Sequence, residues 1–319
     1  MKEIMRLEDV RKYFPIGFTV MGLGKYVRAV DGVTMSLYEG EVLALVGESG
    51  SGKSTLGKIM AGIIKPDSGK VLYKGRDLFS ELRRKEVRHK IQVVFQNPDS
   101  SLNPRLTVFD TLSDAITARK PGLSKMEILE EAVRLLRITG LSEDHLFKYP
   151  SELSGGEKQR VAIARALAVQ PEILVADEIV SALDVSVRAH ILNLLMDLVN
   201  KLRLTMVFIT HDIGLVWAIA DRLTIMYLGK IVEEGFVEDV FKDPLHPYTK
   251  MLLASSPSAR LIGVTVDERF KARGEPPSPI DPPRGCKFVT RCPLADSKCW
   301  SIEPRLEERG RRRVACLKV

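Results

Sequence analysis

A glycine-rich segment between a predicted strand and a predicted helix carries the residues best suited to bind phosphate. Its glycines allow a tight turn in which successive backbone N–H groups point inward, and the helix that begins near Lys53 adds the positive end of its dipole. Lys53 is predicted to reach the β- and γ-phosphates of a nucleoside triphosphate, while the Ser54 hydroxyl contacts a Mg²⁺ ion. A turn without a ligand would not explain the order of strand, loop and helix. The predicted binding residues are Gly47, Ser49, Gly50, Ser51, Gly52, Lys53, Ser54 and Thr55.

Two carboxylates follow a second apolar run, residues 173–176. A run that is apolar throughout predicts a strand of a parallel sheet that is buried on both faces. Asp177 is expected to hold the Mg²⁺ ion, directly or through water, and Glu178 to polarise the water that attacks the γ-phosphate. The alternative is a solvated strand end, but the phosphate loop upstream favours catalysis.

Polar side chains also end two further predicted strands, residues 91–95 and 206–210. Side chains at the carboxyl ends of strands in an α/β sheet face the ligand crevice. Gln96 is therefore expected to touch the metal ion or the attacking water, and His211 to hydrogen-bond the γ-phosphate. Glutamine at a strand end is common, however, and an isolated histidine is more often structural.

Two further segments could contact a nucleotide. Ser154 is predicted to cap a helix that begins at Gly155 and Gly156, where a hydroxyl, bare N–H groups and the helix dipole could bind a second phosphate. A helix start softened by glycine is the alternative. Phe14, at the end of an N-terminal strand, could stack on a base or pack on the core.

The composition is that of a globular protein of 319 residues, long enough for an α/β domain and a smaller appendage. The sequence has no apolar run of about eighteen residues, so we expect no membrane span. The N-terminus lacks the apolar core of a signal peptide, which predicts that the chain stays in the cytoplasm. The net charge of +7 fits nucleic acid, an anionic membrane or a solvated basic face, and does not choose between them.

These patterns predict an α/β fold: a P-loop NTPase core with a mostly parallel sheet, an antiparallel β subdomain, an inserted helical subdomain and a loop-rich C-terminal extension. The predicted nucleotide-binding domain spans residues 1–240, with the helical insertion at about 100–155. The extension spans residues 241–319 and contains more than half of the 17 prolines of the chain. We expect little regular structure in it.

Taken in order along the chain, these segments resemble the ATP-binding cassette family over about the first 240 residues. The motifs are the phosphate loop, Gln96, Leu153–Glu157, the strand that ends in Asp177 and Glu178, Ser181–Asp184 and His211. The resemblance implies that Ser154 and its glycines close over ATP held by a second subunit in a head-to-tail dimer. It also places Asp184 among the ATP-binding residues.

The sequence departs from the family pattern at two positions. Glu157 stands where glutamine is more usual, and Ile179 stands where proline usually follows the catalytic glutamate. Neither departure removes a catalytic group, so ATP hydrolysis is still expected.

Within the family, residues 245–249 and the cysteine-containing tail resemble the ATPase subunits of dipeptide and oligopeptide importers. Such importers carry two ATPase subunits, and residues 96–105 resemble the second of them. The resemblance implies a heterodimer with a second, related ATPase, two transmembrane permease subunits and a solute-binding protein. It also implies that this chain is peripheral, at the cytoplasmic face of the cell membrane. Peptides are the implied solute, with oligosaccharides as the alternative.

A nucleic-acid ATPase of the same class is the competing function. The DNA-linked relatives insert a long coiled coil or zinc modules between the phosphate loop and the acidic strand. Here one compact helical insertion without a heptad run separates Lys53 from Asp177. The sequence therefore favours transport, and we expect no nucleic-acid partner.

All four cysteines of the chain lie in the extension: Cys286, Cys292, Cys299 and Cys316. Intracellular disulfides are disfavoured outside hyperthermophiles, and the spacing lacks the paired cysteines typical of zinc sites. Four thiolates can hold an iron–sulfur cluster. The family resemblance implies a four-iron (4Fe-4S) cluster that folds the tail, and free structural thiols are the alternative.

Overall fold

A computed structural model of the protein describes residues 2–17, 24–181, 183–256, 267–271 and 274–319. The strands of the described residues are β1 (Glu3–Ile16), β2 (Lys25–Tyr38), β3 (Val42–Val46), β4 (Ser68–Tyr73), β5 (Arg76–Asp77), β6 (Ile91–Val94), β7 (Ile173–Asp177), β8 (Thr205–Thr210), β9 (Arg222–Tyr227), β10 (Lys230–Phe236), β11 (Glu307–Arg309) and β12 (Arg312–Val314). The helices are α1 (Lys53–Met60), α2 (Leu78–Glu81), α3 (Lys85–Lys90), α4 (Val108–Arg119), α5 (Lys125–Ile138), α6 (Gly155–Ala168), α7 (Val185–Leu202), α8 (Ile213–Ile219), α9 (Val237–Lys242), α10 (Pro247–Ser255) and α11 (Ser297–Ser301).

The chain forms two compact units. One unit combines Met1–Phe79 with Phe208–Val319, and the other is Ser80–Val207. The phosphate loop and the C-terminal extension therefore belong to the first unit, and the helical insertion belongs to the second. The domain ranges 1–240 and 241–319 stay a prediction.

The first unit contains an antiparallel sheet with the strand order β2-β1-β4-β5. The central strand β1 pairs Leu7 with Met35 on one side and with Val71 on the other, and all three side chains are buried. Alternation of buried and exposed residues along β1 gives the sheet one apolar face. This is the antiparallel β subdomain that the sequence predicts.

A second group of strands in the first unit positions the phosphate loop. Strand β3 is buried along its whole length and pairs in parallel with β9, from Leu43 opposite Arg222 to Val46 opposite Ile225. Strand β10 then pairs antiparallel with β9, and β12 with β10. Residues 42–46 are all apolar, as a strand that is covered on both faces requires.

The C-terminal extension has more regular structure than the sequence predicts. A hairpin of β11 and β12 turns at Gly310, where φ is 65°, and pairs with β10 through Val314 opposite Glu233. Its strands are short and mostly charged, so they give no apolar alternation to detect. Helix α10 packs into the same hydrophobic core as β3, β9 and α8. The extension thus shares the core of the first unit.

The second unit is built from the parallel pair β6 and β7 and from helices that pack on one another, α4, α5 and α6. Helices α4 and α5 lie within residues 100–155, where the sequence predicts a helical insertion. Each begins with a capping box, Thr107 with Asp110 and Ser124 with Glu127, in which side chain and backbone satisfy each other. None of the helices in the described part of the chain has the length and apolar character that a membrane span requires.

Candidate functional site

The phosphate loop joins β3 to α1 through a turn that only glycine fits. Gly50 and Gly52 have φ values of 78° and 103°, in the left-handed region. A Cβ atom at Gly52 would lie 1.9 Å from the carbonyl oxygen of Ala29, and one at Gly47 would lie 2.3 Å from that of Met226. The glycines are therefore required both by the backbone conformation and by its close approach to neighbouring strands.

Lys53 and Ser51 contribute an ammonium group and a hydroxyl group to this loop. The buried Lys53 side chain donates from Nζ to the carbonyl oxygens of Gly47, at 2.7 Å, and of Glu48, at 2.9 Å. The Ser51 hydroxyl is buried and has no hydrogen-bond partner in the described part of the chain. Ser54 lies in the first turn of α1, where it is half-buried. A cation, an unsatisfied hydroxyl and a helix start thus converge on one concave turn, and this arrangement fits a phosphate group.

Phe14 lies on β1 in the same unit, with 36% of its surface exposed. The Lys12 ammonium lies 5.7 Å from the centre of its ring. The neighbouring Tyr13 is anchored instead, because its hydroxyl donates to Asp31 at 2.5 Å. The ring of Phe14 is therefore partly accessible, and its stacking on a base stays a prediction.

In the second unit, the structure brings together the predicted catalytic residues Gln96 and Glu178. The Gln96 side-chain amide donates to Ser181 Oγ at 3.1 Å and to Glu178 Oε2 at 3.4 Å. Glu178 follows β7 with a φ of 49°, a left-handed conformation that non-glycine residues rarely adopt. Such backbone conformations concentrate at functional sites. Asp177, the last residue of β7, is buried.

His211 and Asp184 occupy exposed positions at element boundaries. His211 directly follows β8, as predicted, in the part of the chain that belongs to the first unit. Asp184 is the N-cap residue of α7, in the second unit. Ala182, which belongs to the same motif as Asp184, lies outside the described residues.

The segment around Ser154 forms the predicted helix start, and the Glu157 carboxylate is hydrogen-bonded to Ser154 there. Ser154 is the N-cap of α6, which begins at Gly155 and Gly156, and the serine and the first glycine are exposed. The Glu157 carboxylate accepts hydrogen bonds from the Ser154 N–H at 2.7 Å and the Ser154 hydroxyl at 2.8 Å, and His145 Nε2 lies 3.0 Å away. The Ser154 N–H first, and then His145 and the Ser154 hydroxyl, lower the pKa of Glu157 to about 2.

Three of the four cysteine thiols of the extension have raised pKa values. Burial first, and then the other three cysteines, raise the pKa of the Cys286 thiol to about 11, while a hydrogen bond from the Phe288 N–H opposes the rise. Burial also raises the pKa values of Cys292 and Cys316. Backbone N–H groups donate to the sulfurs of these same three residues, as Lys318 N does to Cys316 at 3.4 Å. Hydrogen bonds of this kind are typical of cluster-binding thiolates.

The cysteines do not form a site for a single metal ion. Among the described residues, no group of three or more His, Cys, Asp or Glu side chains is arranged to hold one ion. In a structural zinc site, all four sulfurs lie about 2.3 Å from the same ion. The described residues therefore give no support to the predicted 4Fe-4S cluster, which stays a proposal.

Two family models match the chain, one described as ABC transporter over residues 30–181 and one as Oligopeptide/dipeptide transporter, C-terminal region over residues 232–299. The chain is 44% identical to the dipeptide transport ATP-binding protein DppF of Escherichia coli, over 99% of this chain and 94% of that protein. It is 46% identical to the oligopeptide transport ATP-binding protein AppF of Bacillus subtilis, over 96% and 94%. The chain belongs to the ATP-binding cassette family of transporter ATPases.

Solved structures agree with this assignment. The cassette ATPase cbiO1 of Clostridium perfringens, part of the ABC transporter complex cbiONQ, matches with a TM-score of 0.65 and 30% identity, over 82% of this chain and 99% of that one. The cassette MJ0796, solved as a dimer with ADP and Pi, matches with a TM-score of 0.65 and 32% identity, over 73% and 99%. The predicted family, fold class and ATPase activity are confirmed, whereas the individual residue roles stay predictions.

Sequence reasoning missed one feature of this cassette ATPase. Glu48 of the phosphate loop received no role, although it contacts two residues of the C-terminal extension, Tyr248 and Arg291. Tyr248 lies within the 245–249 motif that pointed to the importer subfamily. That motif was the available signal, but nothing in the sequence indicated which loop it contacts.

Proposed function

We propose that this cassette ATPase powers the import of dipeptides or oligopeptides. The observation that carries the proposal is the joint presence, in one chain, of a complete phosphate loop and the oligopeptide/dipeptide transporter C-terminal region at residues 232–299. The similar proteins DppF and AppF are named for dipeptide and oligopeptide transport. The matches cover nearly the whole chain, so they include the extension and not only the ATPase core.

The residues of the phosphate loop would hold the nucleotide. The loop N–H groups and Lys53 would bind the β- and γ-phosphates, and the exposed ring of Phe14 would stack on the base. Bound Mg²⁺ would neutralise charge on the phosphates. Its proposed protein contacts are Ser54, Asp177 and Gln96.

Glu178 is the proposed general base for hydrolysis. Its carboxylate lies within hydrogen-bonding distance of the Gln96 amide, so the two side chains can orient the same water. His211 would donate a hydrogen bond to the γ-phosphate. Ser154, Gly155, Gly156 and Asp184 complete the proposed ATP-binding set.

The proposed assembly is a heterodimer with a second, related ATPase, attached to two transmembrane permease subunits and supplied by a solute-binding protein. This chain would lie at the cytoplasmic face of the membrane. The exposed Gly155 at the start of α6 supports a shared nucleotide site, because an exposed helix start can receive a phosphate from a partner. The dimeric MJ0796 structure shows that a similar cassette can pair.

The four cysteines would bind a 4Fe-4S cluster. The Lys318 N–H, which donates to the Cys316 sulfur at 3.4 Å, supports this donor set. The cluster would cross-link the extension and so stabilise it. This part of the proposal stands apart from ATP hydrolysis.

Purification of the intact complex tests the proposed function. We expect one copy of this chain, one related ATPase and two permease subunits by native mass spectrometry. In nanodiscs, ATP hydrolysis should increase when a peptide-loaded binding protein is added. Two copies of this chain without a second ATPase would refute the heterodimer, and hydrolysis that does not respond to any peptide would refute peptide import.

A further inference from the structure

The C-terminal extension holds the phosphate loop directly. The Arg291 guanidinium donates to both carboxylate oxygens of Glu48, from Nη1 to Oε2 at 2.7 Å and from Nη2 to Oε1 at 2.9 Å. The arginine side chain is only 4% exposed, and the glutamate side chain is 27% exposed. A two-pronged pair of this kind fixes orientation as well as distance. It joins positions that are 243 residues apart in the sequence.

A second contact holds the backbone of the same residue. The Tyr248 hydroxyl accepts a hydrogen bond from the Glu48 N–H at 2.8 Å, and the Tyr248 side chain is fully buried. The Glu48 carbonyl accepts one from Lys53 Nζ at 2.9 Å. The N–H, carbonyl and carboxylate of Glu48 are therefore all fixed, two of them by the extension.

Arg291 and Tyr248 are held in place by aromatic packing. Tyr248 forms an aromatic cluster with Tyr227 and Phe288, and Arg291 packs against this cluster. The Tyr227 ring centre lies 4.6 Å from that of Tyr248 and 5.3 Å from that of Phe288. The Arg291 guanidinium lies 5.9 Å from the Tyr227 ring centre and 5.8 Å from the Phe288 ring centre. All three rings are at most 1% exposed. Close packing leaves Arg291 and Tyr248 little freedom to move away from the loop.

We propose that Arg291 and Tyr248 are positioning residues that hold the phosphate loop ready for nucleotide, so that the C-terminal extension sets the affinity for ATP. The inference rests on the proposed function, since it takes the loop to bind ATP. A loop that is already ordered loses less conformational entropy when it binds a ligand. Releasing Glu48 would free the backbone beside Gly47 and loosen a carbonyl that Lys53 uses as its anchor.

The experiment compares nucleotide affinity with stability in the full-length chain. The variants are Arg291→Met, Tyr248→Phe and Glu48→Gln, and the probes are MgATP and MgADP by titration calorimetry. Arg313→Met is the matched control, because Arg313 also joins the extension to an earlier part of the first unit, through Glu234 at 2.6 Å, but does not contact the loop. Thermal melting without nucleotide measures the stability of every variant.

We expect Arg291→Met and Tyr248→Phe each to weaken MgATP binding by about tenfold, because the released loop must be ordered when nucleotide binds. Arg313→Met should lower the melting temperature and keep the wild-type affinity. The double variant Glu48→Gln/Arg291→Met should bind no more weakly than Arg291→Met alone, because both changes break the same contact.

Wild-type affinity in Arg291→Met and Tyr248→Phe would overturn the inference, as would an equal loss in Arg313→Met. Tyr248→Phe removes a single oxygen atom, so it decides the matter if Arg291→Met does not fold. A wild-type chain that fails to bind MgATP would contradict the proposed function instead, which keeps the two failures distinct.

Discussion

The Glu157 carboxylate accepts hydrogen bonds from both the backbone N–H and the hydroxyl of Ser154, at 2.7 and 2.8 Å. A glutamate at this position also places a negative charge at the positive end of helix α6, which stabilises the helix. A glutamine at this position would make a neutral contact, whereas the ionised glutamate makes a charged one. The charge therefore strengthens the hydrogen bonds that Glu157 accepts from Ser154.

Replacing Glu157 with glutamine should destabilise the protein at neutral pH. The pKa of Glu157 in the folded protein, about 2, lies below the ordinary value of 4.5. Its contribution to the free energy of unfolding is therefore present above pH 4.5 and is lost as the pH falls through 2. We expect Glu157→Gln to cost about 1 kcal/mol at pH 7, the usual size for a helix cap at a partly exposed site.

Thermal melts at pH 7, 5 and 3 measure this dependence. The gap in melting temperature between wild type and Glu157→Gln should narrow at the lowest pH. Glu130→Gln, an exposed change on α5, serves as the control for loss of one charge and should show no such gap. A gap that stays constant from pH 7 to pH 3 would show that ionisation of Glu157 does not stabilise the fold.

Alanine at Gly52 should abolish nucleotide binding, whereas alanine at Gly40 should not. The Gly52 position combines a φ of 103° with a neighbouring carbonyl oxygen 1.9 Å from the added carbon, so the loop must move. Gly40 has a φ of 75°, but an added carbon there has no described atom within 4 Å. The Gly40 change should therefore cost only about 1 to 2 kcal/mol of stability. Titration with MgATP distinguishes the two variants, and wild-type affinity in Gly52→Ala would contradict the loop geometry.

Substitutions of Lys53 and Glu178 should have different effects on nucleotide binding and on ATP hydrolysis. Lys53→Ala removes the cation of the phosphate loop and should abolish nucleotide binding or hydrolysis. Glu178→Gln keeps the size of the side chain, so it should bind MgATP normally and lose at least about 100-fold in kcat, as expected for a missing general base. Phosphate release assays and equilibrium binding measure both effects. Wild-type turnover in Glu178→Gln would show that another residue is the base.

Protein purified without oxygen should be brown and contain iron and acid-labile sulfide in near-equal amounts. Each of the four Cys→Ser variants should weaken the extension or its assembly before it affects ATP binding, because the proposed cluster would be structural. Metal analysis, visible absorbance and melting temperature are the measurements. Colourless anaerobic protein that contains zinc would contradict the cluster, and so would normal assembly of a variant lacking all four thiols.

Much of the site could be predicted because its signals are local. The strand at 42–46, the glycines that follow it and the helix at Lys53 are adjacent in sequence, and each has its own propensity. The left-handed conformation of Glu178 has no such signal, because glutamate rarely adopts it and the surrounding structure imposes it.

The contacts of the extension could not be predicted from the sequence for a related reason. Arg291 and Glu48 are 243 residues apart, and their pairing depends on how α10 and the segment around Phe288 pack into a shared core. The strands β11 and β12 are three residues each and mostly charged, so tertiary pairing with β10 determines their structure.

Peptide uptake by the reconstituted transporter tests the central claim most directly. Liposomes would carry the complete complex with MgATP enclosed, and a binding protein loaded with radiolabelled peptide would be added outside. We predict accumulation of the peptide that requires ATP and is lost when this chain carries Glu178→Gln. Accumulation of oligosaccharide but not of peptide, or equal peptide uptake by the wild-type and Glu178→Gln complexes, would contradict the account.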